Sequence, residues 1–166
     1  MVILLYNNFA LGEKMRVNIG VYITRIKQIN GRLINKLISD RNIKEFNAEQ
    51  GRILHVLWEK KEMNNREISK KTGLAMSTLT TMLEKMEEKG LIFRETDSTD
   101  KRKIMVRLTE KSEKLEKDYM EISEEMTQFS YDGVHKIDIE EIKIFESILK
   151  KVMENVEYAE NNICRK

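Results

Sequence analysis

Proline is absent from all 166 residues, so no helix in this chain meets a proline break. Cysteine occurs once, as Cys164 near the C-terminus, which excludes an internal disulfide framework and reads as an incidental thiol. Histidine occurs twice, as His55 and His135, and with a single cysteine the His/Cys spacing of a metal site cannot be built. There is no Gly-rich phosphate loop, and no nucleophile with a positioned base stands out. The chain is therefore expected to have no catalytic residues, no metal and no cofactor. Long apolar runs are missing too: none approaches the roughly 20 residues needed to cross a bilayer. The opening MVILLYNNFALG has only a short apolar run with no basic stretch ahead of it, which speaks against a signal peptide. A cytoplasmic location without membrane contact is the expectation.

Charge is plentiful. Charged residues at 35% and hydrophobic residues at 40% suit a helix-rich chain. The length allows a substantial core, as one compact domain with or without helical extensions. The net charge of +2 conceals an uneven spread of +5 over residues 1–60, +3 over 61–111 and −6 over 112–166. That asymmetry suits a protein presenting one face to a polyanion, although solvated helices also carry such charge.

Residues 1–14 match nothing that follows and form an N-terminal extension without an assigned role. From Ile19, the positions Ile19, Tyr22, Ile23, Ile26, Ile29, Leu33 and Leu37 recur at steps of three and four, the mark of a long amphipathic helix ending near Asp40 to Asn42. Gly20 and Gly31 inside it each cost up to about 1 kcal/mol unless close packing compensates. Asn47 is placed to cap a second helix, AEQGRILHVLWEKK, with Ile53, Leu54, Leu57 and Trp58 as its buried face.

The densest information lies in Asn64 to Thr109. Asn64 and Glu67 have the spacing of a reciprocal cap, Ile68 and Ser69 face inward, and Gly73 stops the helix in a left-handed turn. The next helix, about Met76 to Lys89, has Leu79, Met82, Leu83 and Met86 as its core stripe. Ser77, Thr78, Thr80, Thr81 and Lys85 lie at other angles, where short hydroxyls suit phosphate oxygens and base edges. An ordinary amphipathic surface helix would look much the same. Gly90 ends it, LIFRE and IMVRL alternate as strands, and DSTDKRK is a charged tip between them. A hairpin directly after a helix-turn-helix is a wing. Arg102 is the candidate for minor-groove insertion, Asp100 is placed to orient its guanidinium, and Lys101 and Lys103 would neutralise phosphates. Asp100 and Arg102 also read as a screened surface pair.

Thr109 can cap a long helix in which Leu115, Tyr119, Ile122, Met126 and Phe129 repeat at four-three-four-three. Gly133 interrupts it. Asp138 and Glu141 then cap a last helix carrying Ile142, Phe145, Ile148, Leu149, Val152 and Val156. A small winged helix cannot cover both faces, so interleaving with a second copy is the natural solution; a monomeric bundle is the alternative. His55 lies beside a buried face and reads first as a partly buried, hydrogen-bonded histidine.

Residues from about Phe46 to Leu115 resemble the winged-helix core of the MarR family of multiple-antibiotic-resistance-type regulators. The resemblance rests on QGRILHVL, on REISKKTGLAMSTLTTMLEKMEEKGLI, and on D-x-x-D-K-R running into VRLTEKS. The helix before and the two after fit the same layout. It implies a mainly α fold: a winged helix-turn-helix with a two- or three-stranded wing sheet, and long N- and C-terminal helices forming a dimerisation domain. The corresponding division is residues 15–45, 46–111 and 112–166.

What the resemblance implies for function is a homodimeric regulator of transcription, in particular a repressor. It would bind a pseudo-palindromic double-stranded DNA operator and be released by a small aromatic or anionic effector. By position, Ser77, Thr78 and Thr81 would form the recognition surface, with Lys85 further along and Asp100 and Arg102 as the wing pair. An effector pocket would draw on Tyr22, Arg25, His55, Trp58 and Tyr119. Peroxide-sensing relatives carry an N-terminal cysteine, absent here. Ala75 replaces the usual Ser cap, Met76 and Thr81 stand where basic residues are common, and Ser112 stands in place of Gly. Fewer cations on the recognition helix shift weight to the wing and point toward A-T-rich sites. The competing function is a winged-helix protein-interaction module without specific DNA binding.

Overall fold

In a computed structural model of the chain, the described residues are 18–97, 100, 101 and 103–163. The elements run α1 (Ile19–Asp40), α2 (Ala48–Lys60), β1 (Glu62–Asn64), α3 (Asn65–Thr72), α4 (Met76–Glu88), β2 (Ile92–Thr96), β3 (Ile104–Leu108), α5 (Glu110–Glu113), α6 (Glu116–Tyr131) and α7 (Ile139–Ile163). Two compact units divide the chain between Ser123 and Glu124.

In the first unit, the sheet is antiparallel in the order β1-β3-β2. Met63, Val106 and Arg94 sit abreast on its inner face, and Glu62, Arg107 and Phe93 on its outer face. The core gathers Ile53, Leu54 and Leu57 of α2, Ile68 of α3, Leu79, Leu83 and Met86 of α4, and Ile92 and Val106 of the sheet. Each is at most 2% exposed, and each such side chain contributes roughly 1.5–3 kcal/mol by leaving water. The stripes expected on α2 and α4 are therefore the buried ones, save that Met82 is half-buried.

Helix starts follow local chemistry. The Asn47 side chain accepts from Gln50 N while Gln50 accepts from Asn47 N, and Asn64 and Glu67 make the same exchange. Such caps contribute about 1 kcal/mol each. β1 is a third strand beyond the hairpin, so the wing sheet has three strands.

One element departs from expectation. Thr109 does not cap a long helix: it caps α5, only four residues long, through a reciprocal pair with Ser112. At Lys114 and Leu115 the bonding tightens, with Leu115 N donating to Ser112 O at 3.1 Å, and α6 starts afresh. A three-residue step replaces the four-residue ladder, which breaks the helix in two.

α1 buries only Ile38, and its Ile19, Tyr22, Ile23, Ile26, Ile29 and Leu33 are all exposed. A methyl added at Gly20 or Gly31 would meet nothing within 4 Å. Among the described residues, no packing compensates for those glycines.

In the second unit, α7 opens on Asp138 and Glu141, which exchange bonds of 2.9 and 3.0 Å. Over its 25 residues α7 buries none.

Candidate nucleic-acid interface

α3, the turn at Gly73 and α4 form the helix-turn-helix. Gly73 takes the left-handed φ of +67° that ends α3. Ser69 Oγ donates to Leu74 O at 2.7 Å and Thr72 Oγ1 to Ile68 O at 2.7 Å, tying the turn down from inside. Ala75 supplies no side-chain cap to α4.

The burial of Leu79, Leu83 and Met86 dictates what α4 shows to solvent. Ser77, Thr78, Thr81 and Lys85 are exposed and Thr80 is half-buried. Thr80 Oγ1 donates to Met76 O at 2.9 Å, and Thr81 Oγ1 to Ser77 O at 3.3 Å. Both threonine protons are thereby spent within the helix, so their oxygens are offered outward as acceptors. Met76, at the helix start, is exposed and apolar, the chemistry that meets a thymine methyl.

The wing tip is closed by backbone bonds: Asp97 N to Lys103 O at 2.9 Å and Lys103 N to Asp100 O at 2.8 Å. Asp100 N also donates to Asp97 Oδ1 at 2.8 Å. Lys101 and Lys103 are exposed, with Lys103 Nζ 3.8 Å from Asp100 Oδ2. Arg102 lies outside the described residues, and with it the expected Asp100–Arg102 pair.

Three contacts were not anticipated from the sequence. Arg94 of β2 reaches Glu87 of α4 through Nε at 2.9 Å and Nη2 at 2.5 Å, and the Arg94 backbone N–H adds a third bond at 3.1 Å. The guanidinium holds the Glu87 carboxyl below its usual range. A signal existed, because Arg94 shares strand parity with buried Ile92. The second is Ser112, fully buried at the root of the wing. Its hydroxyl lies 2.6 Å from Leu91 O and 3.0 Å from Thr109 O, accepts from Thr109 N, and its carbonyl takes the Trp58 Nε1 proton at 3.2 Å. On the outer sheet face, Arg107 bridges Glu62 at 2.5 Å and Glu95 at 2.9 Å.

Of the effector candidates, three come together. The Tyr119 ring centroid is 5.4 Å from that of His55 and 5.3 Å from that of Trp58, with Phe46 at 6.2 Å. Gly51 makes room, since a methyl there would come within 2.9 Å of Tyr119. His55 Nε2 is 3.7 Å from Glu59, too far for a hydrogen bond. Tyr22 is exposed on α1, as is Arg25, and Tyr22 joins no ring contact among the described residues. A cavity of about 300 Å³ between the end of α1 and the start of α2 is lined by Asn35, Ile38, Asn42, Lys44 and Phe46, and by none of the five candidates.

Burial pushes the Tyr119 phenol up, against a smaller opposing pull from Arg52. A raised acid ionises later in the folded chain than in the unfolded one. Its contribution to stability is whole below about pH 10 and is lost as pH climbs through the folded-state value. Tyr119→Phe is expected to delete a late-ionising step from an alkaline titration followed by phenolate absorbance. Loss of an ordinary, unshifted step instead would place Tyr119 in solvent.

Among the described residues, no three His, Cys, Asp or Glu side chains gather as a metal site, and no helix is long and apolar enough to cross a membrane.

Comparison with known proteins places this geometry. The family model of the MarR family matches residues 46–104. The HTH-type transcriptional regulator MgrA of Staphylococcus aureus is 27% identical over 124 residues, covering 74% of this chain and 81% of its own. Mutant MarR from E. coli complexed with operator DNA superposes with a TM-score of 0.70 at 23% identity, over 82% of this chain and 94% of that one. BpsR of Bordetella bronchiseptica, whose DNA binding is regulated by 6-hydroxynicotinic acid, has a TM-score of 0.70 at 20% identity, over 89% and 98%.

Proposed function

The chain belongs to the MarR family through the winged helix of residues 46–104, and from that premise we propose a homodimeric, sequence-specific regulator of transcription that binds double-stranded DNA. It acts as a repressor that a small-molecule ligand releases. One observation carries this reading: within one compact unit, α4 turns an exposed hydroxyl-bearing face outward beside a hairpin whose tip carries exposed lysines. A helix of that kind enters the major groove, and a basic tip straddles the minor groove. Ser77, Thr78, Thr80, Thr81 and Lys85 would read or flank the bases. Lys101, Arg102 and Lys103 would meet phosphate or groove, with Asp100 orienting the tip.

The exposed apolar faces of α1 and α7 support pairing with a second copy. Residues 15–45 and 112–166 would then serve dimerisation around a DNA-binding part at 46–111. The effector would be aromatic or anionic and would meet His55, Trp58 and Tyr119, with Tyr22 and Arg25 supplied by α1. No catalytic role belongs to this reading, and its setting is the cytoplasm.

The test is selection of duplexes from a random pool, followed by affinity measured against salt. A dimer neutralising several phosphates per half-site is expected to lose about 10³–10⁵ in affinity between 50 and 200 mM salt. If no duplex is bound better than random DNA, the reading falls, and a winged-helix module for protein partners takes its place.

A further inference from the structure

Resting on the DNA-binding reading above, we propose that Glu87 and Arg94 are positioning residues, a bracket that fixes the wing against the recognition helix. Arg94 then contacts no phosphate, although it is the basic residue on the strand that leads into the wing tip.

The geometry is that of a rigid corner. α4 ends at Glu88, Gly90 turns the chain with a φ of +64°, and Leu91 N donates back to Met86 O at 2.9 Å. Three residues after that return, at Arg94, the Glu87 carboxylate receives three bonds from a single residue. Two come from the guanidinium and one from the backbone N–H, so both the side chain and the strand itself are held. A carboxylate facing the guanidinium edge through two donors has little rotational freedom.

The same arrangement engages one edge of the Arg94 guanidinium. Its Nε and Nη2 donors are committed to Glu87, and Glu84 adds further negative charge nearby. Arg94 lies on the inner face of β2, paired in register with Val106, whereas the exposed lysines are on the tip beyond Thr96. Both partners are about one third exposed, at 27% and 36% of their side chains. The pair therefore adds little to global stability while still coupling two elements that must meet one duplex together. Binding falls steeply when contacts on two elements lose their mutual register.

The probe is the tightest duplex that wild-type protein selects from a random pool. Glu87→Gln and Arg94→Gln are each expected to weaken its binding about ten-fold, a coupling of ordinary size for neighbouring charged groups. Circular dichroism melting should stay close to wild type. The decisive readout is the wing's own contribution. Changing Lys101 and Lys103 together to alanine should cost wild type about ten-fold or more, and clearly less in the Glu87→Gln background, where the wing is already out of register. The exchange Glu87→Arg with Arg94→Glu should recover most of the affinity.

In the background where Lys101 and Lys103 are both alanine, so that the wing's own phosphate contacts are gone, Arg94→Gln should leave the salt dependence unchanged. A slope reduced there by about 0.9 would mean that Arg94 neutralises a phosphate, and the proposal would be overturned. A lysine penalty of full size in both backgrounds would reduce the pair to a stability role and overturn it equally. If wild-type protein selects no duplex, the DNA-binding reading fails and the bracket's role fails with it. If wild type binds and both single variants bind as well, only the bracket fails.

Discussion

Phe145→Asp combined with Ile148→Asp is expected to yield a monomer at micromolar concentration and to lower duplex affinity by at least about a hundred-fold, because two linked reading heads gain roughly 10²–10⁴ over one. Phe145 is 46% exposed and Ile148 50% exposed within one chain, on a helix that buries nothing. Charging these positions therefore removes nothing from the protomer's own interior. It would, however, place carboxylates inside any interface built on that face, where unpaired charge is costly. The winged-helix core lies wholly within residues up to Ser123, so its side chains remain buried. Sedimentation and melting read the two effects separately. A dimer that persists with unchanged affinity would move the pairing surface off α7.

The second large effect separates α4's two faces. Leu83→Ala is expected to lower stability by about 2–5 kcal/mol, the cost of emptying a fully buried leucine site; Leu83 is 0% exposed. Thr78→Ala, one and a half turns away on the exposed side, should change stability by no more than about 0.5 kcal/mol. Its duplex affinity should nevertheless drop several-fold. Thermal melts and binding curves on both variants decide the matter. If Thr78→Ala melts like Leu83→Ala, the two faces have been assigned the wrong way round.

Much of the winged helix was legible because its information is local. Asn47, Asn64 and Gly73 mark helix ends through bonds made within four residues, and the alternation in LIFRE and IMVRL marks strands through parity. β1 was hidden: three residues, Glu-Met-Asn, are too few for parity to register. The break after α5 was hidden as well, because the four-three spacing of Leu115, Tyr119 and Ile122 runs straight across it. Only the bonds of Ser112 to Leu91 and Thr109 reveal why the chain turns there. Periodicity announced that α1 and α7 are amphipathic, and the small size of the winged helix already implied that such faces stay uncovered in one chain, as they do. At the candidate interface, the outward positions on α4 followed from its buried stripe. The Glu87–Arg94 bracket joins residues on different elements, and no spacing rule pairs a helix carboxylate with a strand guanidinium.

The reciprocal caps have a consequence for how this protein tolerates change. Asn47 with Gln50, Asn64 with Glu67, Thr109 with Ser112, and Asp138 with Glu141 each close a helix start from two residues three apart. The reciprocal bonds themselves join residues of one helix start, although Asn35 of α1 also takes the Ala48 N–H at 2.9 Å and Ser112 also bonds Leu91 O. A substitution in the core therefore loosens how the helices pack while leaving where they begin untouched. The loss is graded in tightness, and the punctuation of the chain survives it. α4 is the exception: its start at Ala75 has no side-chain cap, so its phase, which decides which side chains face outward, is set by its buried stripe and by the Gly73 turn from the capped α3, and it is the helix most open to drift in the interior.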